Sequence, residues 1–346
     1  MNKSIIYCCF FLTINFVMQG QNPPTVTILQ KFELKKTSIR AIEVIDDSTL
    51  WFAGANGRYG RIVGDQLEID SISHEGKNPS FRSIAYNGKH IFLLNIENPA
   101  LLYMIDPSLP LGTRELVYKE SDPKVFYDSM TFFDHKNGIA MGDPVENCLS
   151  IIKTTDGGEY WTKLSCKDLP ASDEGEAAFA ASDTNIATYE DKVWIATGGK
   201  KARVFISDKQ LKKWDVFDTP IDQGGEMTGI FSIDFYDKNL GIIMGGNWDN
   251  KKDGSKSKAI TLDGGQTWTL IATDQIPGYI SCVQFVPGKS GKLLLAVSTE
   301  GIYFSNNTAK TWIKVGNNGY FSLRFTDHKT AWLSMGQEIT KVKLSY

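Results

Sequence analysis

The chain has 346 residues, of which 42% are hydrophobic and 22% are charged, so it can bury a core and is not a disordered polymer. Its formal net charge of -3, without any run of basic residues, argues against a nucleic-acid-binding protein. The 31 glycines and 12% aromatic residues, beside only four histidines, predict many short strands, tight turns and few metal ligands.

Residues 1–20 predict a secretory signal peptide. One early lysine precedes an apolar stretch over residues 5–12 that extends to Val17, and polar residues follow Gly20. The alternative is an uncleaved membrane anchor, for which the stretch is short compared with a span of ~20 residues. No later segment approaches that length, so we expect no membrane span in the mature chain and a secreted or periplasmic location.

A short strand pattern recurs seven times in the rest of the chain. Each copy has a small residue, a large apolar residue, any residue and usually another apolar one. In a β-propeller the innermost strands crowd around the axis, where small side chains let the blades approach. The copies are residues 41–44, 83–86, 129–132, 178–181, 232–235, 282–285 and 322–325.

Residues 25–346 are therefore predicted to form one domain, an all-β seven-bladed propeller with four-stranded antiparallel blades. Only two strands fit after residues 322–325, which leaves the seventh blade one strand short. The segment 25–34 precedes the first innermost strand and can fill that place beside residues 338–344. Such closure removes the exposed sheet edges that invite aggregation.

A second repeat consists of turns that end in tryptophan. Asp156-Gly157-Gly158 leads to Trp161, Asp263-Gly264-Gly265 leads to Trp268, and degraded copies end at Trp214 and Trp312. The spacing between the tryptophans is typical of one propeller blade, about 40–50 residues.

These Asp-Gly-Gly turns resemble the Asp-box (BNR) repeat of sialidases. With the spacing and the exported setting, the chain is similar to the propeller of the photosystem II stability and assembly factor family. The resemblance implies a structural role for Asp156, Trp161, Asp263 and Trp268, on turns between the third and fourth strands. It does not imply sialidase activity, because residues 81–84 match only the first half of the sialidase Phe/Tyr-Arg-Ile/Leu-Pro motif.

Propeller ligands usually meet the face where the innermost strands begin, which we call the top face. Charges of both signs and two aromatic residues are predicted to converge there and hold an anionic or hydroxylated ligand. The alternative is a solvated rim whose charges pair with one another. The predicted ligand-binding residues are Arg40, Arg82, Tyr127, Asp128, Glu176, Lys200, Lys201 and Trp248.

The leading hypothesis is an exported, monomeric, non-catalytic propeller that binds a protein or glycan through the top face without a cofactor. The rival is a glycan-active enzyme, which needs two carboxyl groups roughly 5–9 Å apart. No histidine spacing, calcium loop, dinucleotide fingerprint or nucleophile elbow supports a metal site or another chemistry. The catalytic candidates are Asp128, Asp143, Glu176 and Asp249.

Beyond the predicted signal peptide the cysteines are Cys148, Cys166 and Cys282. Cys148 and Cys166 lie symmetrically about the Asp156 turn, and in a hairpin centred on Gly157 they face each other across two strands. We predict a disulfide between them and a buried free thiol at Cys282. The alternative is two reduced thiols, because a bulge in the hairpin shifts the pairing by one residue.

Overall fold

A computed structural model describes residues 23–346, so the predicted signal peptide lies outside the described residues. The first three blades follow one another along the chain as antiparallel sheets of four strands. Their strands are β2 (Ile39–Val44), β3 (Thr49–Gly54), β4 (Arg58–Val63), β5 (Gln66–Ser71), β6 (Phe81–Tyr86), β7 (Ile91–Asn95), β8 (Ala100–Ile105), β9 (Glu115–Glu120), β10 (Tyr127–Phe132), β11 (Gly138–Gly142), β12 (Ser150–Thr154) and β13 (Thr162–Lys163). A single 3₁₀ turn, Cys166–Asp168, follows in this part of the chain.

Blades four to seven continue the pattern, with β14 and β17 as short extra strands beside blade five. The strands are β14 (Glu176–Ala177), β15 (Ile186–Tyr189), β16 (Lys192–Ala196), β17 (Gly198–Gly199), β18 (Arg203–Asp208), β19 (Trp214–Asp218), β20 (Thr228–Phe235), β21 (Gly241–Asn247), β22 (Lys258–Thr261), β23 (Thr269–Leu270), β24 (Cys282–Phe285), β25 (Leu294–Ser298), β26 (Gly301–Ser305), β27 (Ile313–Gly316), β28 (Ser322–Phe325), β29 (Thr330–Met335) and β30 (Glu338–Ser345). Within residues 23–346, no helix is long and apolar enough to cross a membrane.

The ring is closed by both ends of the described chain. Strand β1 (Thr25–Glu33) pairs antiparallel with β30, so that Thr25 faces Ser345 and Glu33 faces Glu338. The innermost strands β2, β6, β10, β15, β20, β24 and β28 each contact the next one around the axis, and β28 contacts β2 again. The predicted seven-bladed propeller and its closing N-terminal strand are confirmed.

Some small residues of the innermost strands also form hydrogen bonds between neighbouring blades. Ser232 Oγ accepts a hydrogen bond of 3.0 Å from the backbone N–H of Val283 in the next blade. The Ser322 hydroxyl donates to the carbonyl of Arg40 across the closure of the ring, and the Cys282 thiol lies 3.7 Å from the Leu323 carbonyl. A short hydroxyl or thiol thus links one strand to the free edge of its neighbour.

The prediction for blade four is wrong at its innermost strand. That strand is β15, whereas residues 178–181 form an irregular segment that lies over the central axis. The cause is upstream, because β14 pairs with β17, and β17 pairs with β20 of blade five. This pairing carries the following residues away from blade four. Their sequence, a small alanine followed by the large apolar Phe179, imitates the start of an innermost strand.

The Asp-Gly-Gly turns join the third and fourth strands of blades three and five. Asp156 Oδ1 accepts from the Thr154 hydroxyl at 2.8 Å and from the Tyr160 N–H at 3.2 Å. The indole N–H of Trp161 donates to Gly158 O at 3.1 Å, which closes the turn. Gly158 has φ of 94°, and a Cβ there would lie 2.3 Å from the Phe92 ring, so only glycine fits.

Cys148 and Cys166 form a disulfide with a Cα–Cα distance of 5.5 Å, and Cys282 is a buried free thiol. The predicted hairpin register needs correction, because Ile152 faces Lys163 and the pairing is shifted by one residue. The bridge still forms since both cysteines lie outside β12 and β13, where the backbone is free to bring them together. The disulfide joins the loop between β11 and β12 to the 3₁₀ turn after β13.

We expect peptide mapping of the non-reduced, alkylated protein to recover Cys148 and Cys166 in one linked peptide pair and Cys282 alone as an alkylated thiol. Replacing both linked cysteines with serine should lower the free energy of unfolding by about 3 kcal/mol, because the open loop regains entropy in the unfolded state. Cys282→Ser serves as the control for thiol loss. Alkylation of Cys148 in the native protein would contradict the bridge.

Candidate functional site

The feature that organises the centre of the molecule is the axial segment, which we define as residues 178–184. Asp183 Oδ2 accepts a hydrogen bond of 2.9 Å from the Ile84 N–H, and its Oδ1 accepts one of 3.0 Å from the Met130 N–H. These two N–H groups belong to the innermost strands of blades two and three. One carboxylate therefore satisfies the inner edges of two blades at once.

The axial segment also contacts three blades on the other side of the axis. Ser182 Oγ donates to Ser281 O at 2.6 Å, just before β24, and the Thr184 hydroxyl donates to Ser232 Oγ at 2.9 Å. From blade seven, Arg324 Nη2 donates to the carbonyl of Asp183 at 2.9 Å. The segment thus lies across the channel and separates a cavity on the top face from a channel below.

The top-face cavity has a volume of about 370 Å³. One part of its wall is aromatic: Phe179 stacks on Phe231 at 3.8 Å, and Phe231 and Trp248 each meet Tyr279 edge to face. The lining residues are Arg40, Arg82, Ile96, Phe126, Asp143, 177–181, Glu226, Met227, Phe231, Trp248 and Tyr279.

Arg40 and Arg82 provide the positive charge of this cavity. In residues 23–346 the arginine ion pairs belong to Arg61, Arg114 and Arg203, and neither cavity arginine takes part in one. Arg40 lies over the Phe321 ring at 3.7 Å, while Arg82 donates only to Ala180 O, at 3.3 Å.

Burial lowers the pKa of both guanidinium groups. It is the main cause that lowers the pKa of Arg40 to about 10, and the charge of Arg82 lowers it further. Burial also lowers the pKa of Arg82. The Nε atoms of both residues are buried without a hydrogen-bond partner in the described structure. Two partly desolvated cations without a carboxylate partner would gain from an anionic ligand.

Asp128 and Asp143 form a carboxyl pair beside the cavity. Asp143 lines it and accepts the Ala178 N–H at 2.7 Å, whereas Asp128 is fully buried and does not line it. Burial raises the pKa of Asp128 well above its usual range, and the charge of Asp143 raises it further. Burial also raises the pKa of Asp143 to about 6. Asp143 is the one catalytic candidate that faces the cavity.

Two other predicted site residues are directed away from the cavity. Glu176 is buried and paired with Arg203, whose Nε donates to Oε1 at 3.0 Å, and the Thr197 hydroxyl donates to the same oxygen at 2.6 Å. Tyr127 lies in the core between blades two and three and donates to Glu120 Oε2 at 2.8 Å. Internal partners therefore satisfy both side chains.

The remaining predicted residues lie on the surface around the cavity. Lys200 Nζ lies 3.6 Å from Glu174, and Lys201 Nζ lies 3.0 Å from Asp218, so both point outward. Asp249 is exposed in the loop after β21. Of the predicted ligand-binding set, the structure brings Arg40, Arg82 and Trp248 together around the cavity, and the others are held apart by local ion pairs or burial.

Below the axial segment the channel is lined by acidic groups that the sequence analysis did not single out. Glu43, Asp183, Asp234 and Arg324 all line a cavity of about 280 Å³. Burial raises the pKa of Glu43, Asp183 and Asp234 to about 7 each, while the charge of Arg324 opposes the rise. Three carboxyl groups thus titrate near neutral pH around one guanidinium.

The position of these residues in the repeat offers a signal that could have found them. Glu43, Asp234, Gln284 and Arg324 each occupy the third position of the innermost-strand pattern, where any residue was allowed. The residues just before the small position include Arg40, Arg82 and Asp128. The same pattern therefore identifies charged residues toward both ends of the channel.

No protein-family model and no curated protein sequence matches the chain. Solved structures do match. A complex described as YCF48 bound to D1 peptide has a TM-score of 0.66 at 12% identity, covering 94% of this chain and 98% of that chain. YCF48 from Cyanidioschyzon merolae gives a TM-score of 0.62 at 13% identity, with coverage of 90% and 98%. The WD40 propeller domain of Doa1 gives 0.62 at 10%, with 92% and 97%. At such low identity, the likeness to these structures shows the fold alone.

The lower channel predicts a pH dependence of stability. Glu43 has a pKa of about 7 in the folded protein against 4.5 for the free side chain, so its stabilising contribution is complete below pH 4.5 and is lost as the pH rises through 7. Glu43→Gln removes this titration. We expect the free energy of unfolding of the parent protein, relative to the variant, to fall by about 1–3 kcal/mol over that interval.

Denaturant titrations at closely spaced pH values measure this difference. Glu115→Gln, in the exposed outer strand β9, is the control and should leave the difference constant. A Glu43→Gln variant whose stability changes with pH in parallel with the parent protein would contradict the expectation.

Proposed function

We propose that this protein is an exported, non-catalytic propeller that binds a peptide segment of another protein in the top-face cavity, with a ligand carboxylate at Arg40 and Arg82. The observation that carries the proposal is the pair of half-buried guanidinium groups that have no carboxylate partner and whose Nε atoms are buried without a hydrogen bond in the described structure. A charge-assisted hydrogen bond contributes about 1.5–3 kcal/mol, so hydrogen bonds to these arginines would add to the binding free energy of an anionic group.

The cavity walls favour a peptide over a glycan. Next to the arginines the surface is apolar, with Phe126, Met227 and Phe231 among the lining residues, and the other charged side chains of the lining are Asp143 and Glu226. A sugar carries a hydroxyl on nearly every carbon and would leave many of them without partners there. An apolar side chain beside a carboxylate, as at the C-terminus of a protein, matches both parts of the cavity.

Other observations support parts of the proposal. The likeness to a propeller solved as YCF48 bound to D1 peptide supports peptide recognition on this architecture. The disulfide is consistent with export into an oxidising compartment, where such bridges persist. The rival, a glycan-active enzyme, needs two carboxyl groups beside the substrate, and of the four catalytic candidates only Asp143 lines the cavity.

The test uses a short peptide that ends in an apolar residue with a free carboxylate, and the same peptide with an amidated C-terminus. Calorimetry should show binding of the free acid and weaker binding of the amide. The double variant Arg40→Gln with Arg82→Gln should bind the free acid at least about tenfold less tightly, because two charged donors are lost.

Arg58→Gln is the matched control, since Arg58 begins β4 on the same face but does not line the cavity. Its affinity should stay within about twofold of the parent value. Equal binding of acid and amide would contradict the proposed carboxylate site. Turnover of a glycan panel that is lost in Asp143→Asn would instead favour the enzyme.

A further inference from the structure

The lower channel holds a second group of chemistry-bearing side chains, on the opposite side of the axial segment from the top-face cavity. Glu43, Asp234, Gln284 and Arg324 come from blades one, five, six and seven, which are neighbours around the ring. The same four residues line both the inner cavity of about 280 Å³ and the mouth of about 440 Å³ through which it opens. The channel therefore offers a continuous path from solvent to these groups.

The acceptors of this group are only partly used within the described residues. Glu43 takes part in no hydrogen bond or ion pair among them, and Gln284 Oε1 is buried without a partner. Asp234 accepts only backbone N–H groups, from Phe285 at 2.7 Å and Phe235 at 3.0 Å. The channel thus contains two carboxylates and an amide oxygen with capacity left to accept hydrogen bonds.

The two terminal nitrogens of Arg324, by contrast, already donate three hydrogen bonds. Its Nη1 donates to Leu323 O at 2.9 Å, and its Nη2 donates to the carbonyls of Ser182 and Asp183. The guanidinium group is therefore held against the axial segment, while Arg324 also lines the channel mouth. A ligand in the lower channel therefore finds the unused acceptors on Glu43, Asp234 and Gln284.

Aromatic side chains surround the mouth. Tyr236 and Phe285 meet at 5.9 Å with an interplanar angle of 61°, and Phe325 lies on the same wall. Aromatic faces attract cations and also pack against an alkyl chain. A slender apolar stem with a positive end suits this combination of walls and acceptors.

We propose that the lower channel binds a primary alkylammonium group, with the ammonium between Glu43, Asp234 and Gln284 Oε1 and the alkyl stem against Tyr236, Phe285 and Phe325. An ammonium has three N–H donors, which equals the number of these acceptor groups. A metal ion fits less well, since the described residues contain no group of three or more His, Cys, Asp or Glu side chains placed to hold one.

The ammonium has two sources, a free diamine or a lysine side chain of another protein, and the experiment separates them. Calorimetry of the full chain uses three probes: cadaverine, lysine blocked at both backbone ends, and norleucine blocked in the same way. We expect saturable binding of at least one ammonium probe and none of norleucine. Binding of cadaverine alone indicates a free amine, and binding of blocked lysine indicates a protein side chain.

Glu43→Gln is the main variant, because Glu43 makes no internal hydrogen bond whose loss would disturb folding, and Asp234→Asn is the second. Each should weaken ammonium binding by at least about tenfold, since each removes a charge from the site. Glu115→Gln on the exposed strand β9 should leave it unchanged. Binding of neither ammonium probe, equal binding of norleucine, or affinity that both channel variants leave intact would overturn the proposal.

Discussion

The structure depends on how the inner edges of the innermost strands are satisfied. Outside the single bridge between β17 and β20, each of these strands pairs on one side only, so its other edge presents backbone N–H and C=O groups to a narrow buried channel. Two solutions occur side by side. Short side chains such as Ser232 reach the neighbouring blade, and Asp183 accepts from Ile84 and Met130 together. Leaving such a buried group unpaired costs about 1–3 kcal/mol.

The axial segment that carries Asp183 also creates the two sites. Because it crosses the axis, the channel cannot run through the molecule, and each end becomes a chamber with its own chemistry. Phe179, from the same segment, completes the aromatic wall on the top face by stacking on Phe231. Below, Asp183 joins Glu43 and Asp234 around Arg324. The top chamber therefore combines two guanidinium groups with an apolar wall, and the lower one is acidic with an aromatic rim.

Much of this architecture can be predicted from the sequence, and the reason is local. The small-large pattern reflects crowding at the axis, which every blade shares, so six innermost strands and the closing strand follow from it. Arg40 and Arg82 precede that pattern, and both line the top-face cavity. The prediction of the innermost strand of blade four is wrong because residues 178–181 have an innermost-strand pattern. The preceding strand β14 pairs with β17, which carries these residues away from blade four. Glu176 lies outside the cavity lining for a similar reason, because it pairs with Arg203, which only folding brings near.

Amide hydrogen exchange at Ile84 and Met130 tests most directly the claim that Asp183 secures the inner edges. In the parent protein both amides should exchange as slowly as those of the blade core, for which Leu102 and Ile152 provide the reference. Asp183→Ala should speed exchange at Ile84 and Met130 by at least about tenfold, while the reference amides change much less. Unchanged exchange at both amides in a folded Asp183→Ala protein would contradict the account.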